Sequence, residues 1–295
     1  MSVDLSIVIV SYNGREHLRH CLASLAVHPP PVESEIIVVD NDSRDGSAPM
    51  VASEFGDVRL LRTPRNLGFA AGANRGAREA SGEALVLLNP DSEIKADPFA
   101  PMLNYLREHE DAGVVAPRLL NPDGSLQLSC RSFPTFSVAL FNRHSLLTRL
   151  LPRNRYSKQY LLSDWQHDSI CDVDWVSGAC LMIRRSLFEK IGLLDEGYFM
   201  YIEDVDLCQR VHRAGYRIVY FPETPVVHHI GRSSRTLPSR SILARHRSMW
   251  HYYKKYLKRG RVADIAVAGG IATRCGYLLL ANQLRRPTNR NDEAD

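Results

Sequence analysis

The sequence has few of the features that mark specialised classes of protein. Its six cysteines include no CxxC pair and no metal-site spacing, which predicts reduced thiols in a cytosolic protein. A formal net charge of only +4 gives no reason to expect a nucleic acid partner. No internal repeat is visible. With 295 residues, of which 44% are hydrophobic, we expect an ordinary globular protein with an ample core.

Neither end of the sequence carries a clear membrane signal. The N-terminal run MSVDLSIVIVSYN has Asp4, and no lysine or arginine, ahead of its apolar residues, so we expect a buried strand rather than a signal peptide. Near the other end, VADIAVAGGIATRCGYLLLANQL is interrupted by Asp264 and Arg274. A transmembrane span needs about 20 predominantly apolar residues, so we expect a packed or in-plane helix here.

Short apolar runs alternate with helical patterns over the first 120 residues. Runs of this kind are typical of strands buried on both faces, and they lie at 5–10, 35–40, 58–63, 84–89 and 112–117. Between the first two, the spacing predicts a helix with an apolar stripe made by Leu18, Cys21, Leu22 and Leu25. The alternation indicates an α/β sheet, whose ligands bind beyond the carboxyl ends of the strands.

Regular patterning returns after an irregular stretch between residues 118 and 175. We expect strands at 179–184 and 217–221, and helices at about 186–191, 204–214 and 241–258. Residues 130–172 show no clear element. The polar tail at 285–295 is expected to be disordered.

Polar residues follow three of the apolar runs. The first run ends in Ser-Tyr-Asn (11–13), the second in Asp-Asn-Asp (40–42) and the fourth in Asn-Pro-Asp (89–91). One such end would be a turn or a helix cap, whereas three at one sheet edge indicate a binding site.

The carboxylates at these ends have two interpretations each. Asn-Pro-Asp is good turn chemistry, so Asp91 would be a turn or capping residue. Alternatively, Asp91 is a ligand of Mg²⁺ or Mn²⁺ together with a diphosphate and water. Asp40 has a similar structural alternative, and its functional role would be to contact a nucleotide base or a ribose hydroxyl.

Three acids crowd the start of the helix predicted at 204–214. Glu203, Asp204 and Asp206 would be stabilised there by the helix dipole without any catalytic role. Successive helical residues point about 100° apart, so Glu203 and Asp204 cannot share one task. The functional interpretation makes one of them a general base at the mouth of the same cleft.

Three further segments also have a structural and a functional interpretation. In VVHHIGRSS, His228 is either a satisfied polar residue or a ligand for metal or diphosphate, and Arg232 suits an anion-binding loop. The glycine-rich segment at 64–82 would offer backbone N–H groups to a phosphate. Residues 244–261 interleave basic and aromatic side chains, as on a solvated helix or on one that lies at an anionic membrane surface.

Taken in order, these segments resemble glycosyltransferase family 2, and within it the rhamnosyltransferase-like branch. They read VSYN, VVDNDSRDGS, NLGFAAGANRGA, LLNPD, WVSGACLMIRR, DEGYFMYIEDVDLCQR and HHIGRSS, and cover about residues 5 to 235. The likeness extends to bacterial enzymes that add L-rhamnose to a polyprenyl-diphosphate-linked N-acetylglucosamine. It implies a GT-A fold, with a Rossmann-like mixed sheet flanked by helices and a C-terminal helical extension, a nucleotide-sugar donor and an inverting mechanism.

The resemblance also implies roles for individual residues. Asp204 falls on the family's catalytic base and Glu203 on its neighbour, while Asp91 falls on the last acid of the DxD metal motif. An amide, Asn89, replaces the other acid, so the cation would depend more on diphosphate and water, with His228 as a second protein ligand. Donor binding is assigned to Ser11, Tyr12, Asn13, Asp40, Asn66, Asn74, Asn89, Asp91 and Arg232. The acceptor pocket is assigned to Trp175, Gly178, Phe199 and Tyr201.

The predicted organisation is one GT-A domain in two halves with an extension. Residues 1–120 would bind the donor, residues 121–240 would bind the acceptor and carry catalysis, and residues 241–284 would form a basic, amphipathic helical extension. The expected activity is inverting transfer of L-rhamnose from dTDP-rhamnose to a lipid-linked or polysaccharide acceptor in cell-surface glycan synthesis. We expect a cytoplasmic enzyme that binds peripherally to the inner face of the membrane.

Three alternatives remain open. A galactosyl-, galactofuranosyl- or glucosyltransferase that uses a UDP-sugar would keep the fold. A non-catalytic module that binds a nucleotide sugar or lipid would not need both Asp91 and Asp204. A nucleotidyltransferase would be expected to carry a glycine-rich, basic loop directly after its first strand, and SYNGREH offers little of that.

Overall fold

The computed structural model describes residues 3–134, 162, 165–229 and 238–284. Its strands are β1 (Leu5–Ser11), β2 (Ser34–Asp40), β3 (Arg59–Arg62), β4 (Ala84–Leu88), β5 (Ser92–Ile94), β6 (Ala112–Leu120), β7 (Leu126–Gln127), β8 (Cys130–Arg131), β9 (Cys171–Val173), β10 (Trp175–Val176), β11 (Cys180–Arg184) and β12 (Arg217–His228). Its helices are α1 (Arg15–Val27), α2 (Ser47–Glu54), α3 (Phe69–Glu79), α4 (Phe99–Glu108), α5 (Arg185–Lys190), α6 (Glu203–Arg213), α7 (Pro238–Tyr252) and α8 (Arg261–Leu284), with a π-helical turn at Tyr253–Leu257.

One mixed sheet lies at the centre, with the strand order β3-β2-β1-β4-β11-β6-β12-β5. β1 is parallel to β2 and β4, with Ser11 opposite Asp40 and Ile9 opposite Leu88. β11 runs antiparallel between β4 and β6, and β12 is parallel to β6. Strands from the two proposed halves of the domain therefore share one sheet.

Apolar side chains fill both faces of this sheet. Every residue of β1 is buried, and its side chains alternate between two core clusters because successive residues of a strand point to opposite faces. The predicted stripe of α1 is confirmed, since its buried residues are Leu18, Cys21, Leu22 and Leu25. These helices and strands build the rigid support on which the ends of β1, β2 and β4 are displayed.

The strand with the largest departure from the sequence prediction is β12. The prediction ended it at residue 221, directly before the segment Pro-Glu-Thr-Pro. In the structure, β12 has an irregularity between Phe221 and Val226 and then continues to His228. A bulge of this kind tolerates prolines that a regular ladder would exclude. The continuation pairs with β5 and brings His228 opposite Ser92, next to Asp91.

The C-terminal extension is the helical pair α7 and α8, which pack on each other. α8 is long and apolar enough to cross a membrane by length and composition, with a mean hydropathy of 1.3, and its apolar window is not buried. Its outward face includes Val262, Ile265, Tyr277 and Leu280. The predicted disordered tail, most of the 130–172 stretch and Arg232 lie outside the described residues.

Candidate active site

The ends of three parallel strands meet at one edge of the sheet, as the sequence predicts. Ser11 lies opposite Asp40, and Leu88, which precedes Asn-Pro-Asp (89–91), ends the strand on the other side of β1. Tyr12 follows at the same edge and is half-buried. Ser11 Oγ and Asp40 Oδ1 are buried and have no hydrogen-bond partner among the described residues. Buried polar atoms are nearly always satisfied in native proteins, so these two atoms indicate a polar ligand.

Asn41, which the sequence analysis did not single out, organises the loop before α3. Its Nδ2 donates to Asn66 Oδ1 at 3.1 Å and to the Gly68 carbonyl at 3.0 Å. Its Oδ1 accepts from Leu67 N at 2.9 Å and from Thr63 Oγ1 at 3.1 Å. Both the oxygen and the nitrogen of the Asn41 amide therefore make hydrogen bonds within the protein. Asn66 is part of the same loop, which leads from β3 to α3. The only sequence signal was the position of Asn41 directly after a strand end.

Asn13 and Asn74, which were predicted to bind the nucleotide sugar, make hydrogen bonds within the protein instead. Asn13 adopts a φ of 51°, and its Oδ1 accepts from Arg44 N at 2.8 Å. Asn74 is buried in α3, where its amide accepts from Leu194 N and donates to the Leu194 carbonyl and the Glu196 carboxylate. The ends of β1, β2 and β4 form the edge that is predicted to bind the nucleotide sugar, here called the donor edge. The structure does not bring the Asn74 side chain to this edge. Asn74 instead attaches α3 to the segment that precedes α6.

His228 lies against the Asn-Pro-Asp segment. Its Nε2 is 3.2 Å from Asp91 Oδ1 and 3.3 Å from Asn89 Nδ2, while its Nδ1 is 2.7 Å from Gln127 Oε1. No three His, Cys, Asp or Glu side chains form a metal-binding group in the described part of the chain. A divalent cation here would therefore take Asp91 and His228 from the protein and its other ligands from a diphosphate and water, which suits Mg²⁺ or Mn²⁺ chemistry. Sequence reasoning missed Gln127 because nothing local marks it.

Glu203 and Asp204 begin α6 in different surroundings. Asp204 is half-buried, and its two carboxylate oxygens accept from Gly178 N at 3.0 Å and Val205 N at 2.8 Å. Glu203 is buried, and its Oε2 has no hydrogen-bond partner among the described residues. Burial raises the pKa of Asp204, opposed by the two backbone donors, and burial beside Asp204 raises the pKa of Glu203 well above its usual range. Two backbone N–H donors stabilise a negative charge on Asp204, and no hydrogen bond among the described residues does so at Glu203 Oε2, so Asp204 is the better candidate to accept a proton.

Residues 199–202, which precede α6, have an unusual backbone conformation and pack against the loop that contains Gly68. Tyr201 and Ile202 have φ values of 69° and 73°, which are costly for non-glycine residues. Gly68 has a φ of 87°, and a Cβ atom there would lie 2.3 Å from the Phe199 carbonyl oxygen. Phe199 itself is 46% exposed, and the Arg245 guanidinium lies 4.5 Å from the Tyr201 ring centre. Of the aromatic residues predicted to line the acceptor pocket, Phe199 is therefore positioned by the loop at Gly68 and Tyr201 by Arg245 of α7.

Gly178 contacts Asp204 through its backbone N–H, and Trp175 lies in β10, which packs against α6. Trp175 is buried, and its Nε1 donates to the Ser132 carbonyl at 2.9 Å. The Arg131 guanidinium carbon is 5.4 Å from the Trp175 ring centre, and the charge of Arg131 slightly opposes the rise in the pKa of Asp204. Arg131, which the sequence analysis did not identify, therefore belongs to the surroundings of the proposed base.

Comparison with known proteins decides the family. The profile described as glycosyl transferase family 2 matches residues 6–192, and a second, described as glycosyl transferase family group 2, matches residues 129–269. The chain belongs to glycosyltransferase family 2. This confirms the family resemblance of the ordered motifs and the prediction that the protein is a glycosyltransferase.

Several relatives of this glycosyltransferase are rhamnosyltransferases by name. It is 32% identical, over 98% of its chain and 97% of the relative, to the N-acetylglucosaminyl-diphospho-decaprenol L-rhamnosyltransferase of Mycobacterium tuberculosis. It is 28% identical, over 63% of its chain and 65% of the relative, to the rhamnosyltransferase WbbL of Escherichia coli.

Solved glycosyltransferase structures that superpose on this chain confirm the predicted GT-A fold. GalNAc-T7 with UDP, GalNAc and Mn²⁺ has a TM-score of 0.58 at 18% identity, covering 77% of this chain and 44% of that one. The mannosyltransferase PcManGT from Pyrobaculum calidifontis, in complex with GDP-Man and Mn²⁺, has a TM-score of 0.58 at 16% identity, covering 99% of this chain and 77% of that one.

Proposed function

We propose that this glycosyltransferase transfers L-rhamnose from dTDP-rhamnose to a polyprenyl-diphosphate-linked acceptor in cell-wall synthesis. The observation that carries the proposal is the 32% identity along 98% of the chain to a relative that is named for this transfer in Mycobacterium tuberculosis. The site is compatible with it, because the strand ends supply polar groups for a nucleotide and the start of α6 supplies a half-buried carboxylate, Asp204.

The proposed reaction is one displacement with inversion at the anomeric carbon. Asp204 removes the proton from the acceptor hydroxyl, and the oxygen attacks the anomeric carbon from the face opposite the nucleotide. The bond from this carbon to the diphosphate breaks, and the diphosphate leaves with the electron pair. Burial raises the pKa of Glu203 well above its usual range, whereas two backbone N–H donors stabilise the charged form of Asp204, so we assign the role of base to Asp204.

The donor would bind across the strand ends. Ser11 Oγ and Asp40 Oδ1, both buried without a partner among the described residues, would bind the base or ribose. Asp91 and His228 would hold Mg²⁺ or Mn²⁺, and the cation would neutralise the charge that develops on the departing diphosphate. Arg232 is a further diphosphate-binding candidate by sequence, outside the described residues.

The experiment that tests the proposal is a donor titration. The purified protein is titrated with dTDP-rhamnose, UDP-galactose, UDP-glucose and UDP-N-acetylglucosamine, with Mn²⁺ or with a chelator. We expect metal-dependent preference for dTDP-rhamnose, and loss of that metal dependence in Asp91→Asn because an amide is a weaker cation ligand. Preference for a UDP-sugar would replace the rhamnose assignment, and binding to no donor by folded protein would favour a non-catalytic module.

The C-terminal extension supports a location at the membrane surface. Basic residues are exposed along α7 and in the residues that follow it, among them Arg240, Arg245, Arg247, Lys254 and Lys258. Asp264 is the only acidic residue between 238 and 284, and it accepts a hydrogen bond from the Tyr253 hydroxyl. The outward face of α8 adds exposed apolar residues, among them Val262 at 85% exposure. Basic and apolar groups together suit an anionic bilayer, so the enzyme would bind peripherally at the inner face of the cell membrane.

Vesicle flotation tests this location. We expect the protein to float with vesicles that contain anionic lipid at low salt, and the double variant Ile265→Ser/Leu280→Ser to bind about tenfold more weakly or worse, because each side chain loses apolar burial. Both residues are exposed in the protein, so the variant should fold. Val27→Ser, at an equally exposed apolar residue of α1, is the control and should float like the wild type. No flotation of the wild type at low salt would contradict the proposal.

A further inference from the structure

A chain of hydrogen bonds connects the ring of His228 to the turn between β6 and β7. Gln127 Oε1 lies 2.7 Å from His228 Nδ1, and Gln127 Nε2 donates to Asn121 Oδ1 at 3.1 Å. Asn121 Nδ2 donates to Ser125 Oγ at 2.9 Å, and this hydroxyl donates to Asp123 Oδ1 at 2.6 Å. The chain therefore leads from the proposed metal site to a carboxylate in an exposed turn.

The direction of the donors in this chain is set at both ends. At the outer end, the hydroxyl and backbone N–H of Ser125 both donate to Asp123, which lowers the pKa of that carboxyl and keeps it an acceptor. At the inner end, Gln127 Nε2 also donates to the His228 carbonyl at 3.1 Å, and a carbonyl cannot donate in return. The Gln127 amide is thus oriented with its oxygen toward the ring, so His228 Nδ1 must carry the hydrogen.

This orientation determines what His228 presents to the donor edge. A neutral imidazole with its hydrogen on Nδ1 has its lone pair on Nε2. Nε2 is 3.2 Å from Asp91 Oδ1, so two electron-rich atoms face each other. Asn89 Nδ2, at 3.3 Å, can donate to the lone pair on Nε2, and a divalent cation bound by Asp91 would take up that lone pair in its place.

We propose that Gln127 is the positioning residue that holds His228 in the Nδ1–H tautomer, so that Nε2 binds the divalent cation together with Asp91. The inference rests on the proposed donor function, since this cation is the one that accompanies the diphosphate. Histidine ligands in metal sites are commonly oriented in this way by an acceptor on their other ring nitrogen. An imidazole ligand favours Mn²⁺ over Mg²⁺, because Mg²⁺ strongly prefers oxygen.

Mn²⁺ binding in the presence of dTDP tests this role. Electron paramagnetic resonance of the free ion is expected to show about 10- to 100-fold weaker binding for Gln127→Met, which keeps the side-chain length but offers Nδ1–H no oxygen. Gln127→Glu keeps an oxygen acceptor and is expected to bind Mn²⁺ much more tightly than Gln127→Met. Leu126→Ala, which alters the neighbouring β7 residue at 36% exposure, is the matched control and should bind Mn²⁺ like the wild type.

A measurement without metal provides the second readout. In a ¹H–¹⁵N spectrum of the histidine rings, recorded with chelator at mildly alkaline pH, we expect His228 of the wild type to be protonated at Nδ1 and Gln127→Met to lose this preference. A wild-type ring protonated only at Nε2 would overturn the inference. Normal Mn²⁺ affinity in Gln127→Met, with weak binding in His228→Ala, would overturn the role of Gln127 alone. Normal affinity in His228→Ala as well would overturn the proposed metal site.

Discussion

Asp204→Asn is expected to lower kcat by about 10²- to 10⁴-fold, the usual contribution of a general base, with little change in donor affinity. The amide cannot take the proton from the acceptor hydroxyl. It has the shape of the carboxylate, and its oxygen can still accept one of the two backbone hydrogen bonds, from Gly178 N or Val205 N. Steady-state rates, combined with calorimetric titration of the donor, separate loss of chemistry from loss of binding.

Glu203→Gln is the matched comparison, because it makes the same change one residue earlier in α6. Burial and the neighbouring Asp204 raise the pKa of Glu203, so the substitution replaces a group that holds its proton to higher pH. We expect a much smaller loss of kcat than for Asp204→Asn. An active Asp204→Asn enzyme together with an inactive Glu203→Gln enzyme would reverse the roles of the two acids.

The pH profile of kcat gives an independent check on Asp204. A general base works in its ionised form, so activity is lost as the pH falls through its pKa. Burial raises the pKa of Asp204, which places this acidic limb above the usual aspartate value of about 3.9. The residual activity of Asp204→Asn should lack the limb, and an identical limb in both enzymes would assign it to another group.

Asp206→Ala is expected to destabilise the folded protein by about 3–5 kcal/mol, as when one partner of a buried ion pair is removed. Asp206 is fully buried in α6, and its carboxylate lies 2.8 Å from Arg210 Nε and 2.7 Å from Lys255 Nζ. It also accepts a hydrogen bond from the Tyr256 hydroxyl at 2.8 Å. This carboxylate therefore joins α6 to the π-helical turn of the C-terminal extension. Urea unfolding followed by circular dichroism measures the loss.

The control for Asp206 is an ion pair at the surface. Asp111 is 2.7 Å from Arg217 Nε, but its side chain is 62% exposed. Exposed pairs contribute at most about 1 kcal/mol, so Asp111→Ala should cost far less than Asp206→Ala. Equal stability of the two variants would mean that the buried carboxylate does not hold the extension in place.

Local sequence determined most of the secondary structure and the position of the donor edge. The apolar runs of β1, β2 and β4 must be buried, and polar turn-forming residues follow each of them. The positions of their carboxyl ends could therefore be predicted from the sequence. The stripe on α1 followed from helical spacing. Asp40, Asp91 and Asp204 could be nominated because each lies next to a helix or strand terminus that the pattern itself defines.

The partners of those residues were decided only by the tertiary structure. His228 reaches Asn89, 139 residues earlier in the sequence, because β12 passes through an irregularity and resumes pairing beside β5. Gln127 lies 101 residues from His228 and meets it only through the pairing of β7 and β12 with β6. Asn74, by contrast, shares a motif with the donor loop, yet helical geometry turns its amide toward Leu194. Spacing along the chain identifies which groups end a strand or begin a helix, whereas strand order and register determine which of them meet.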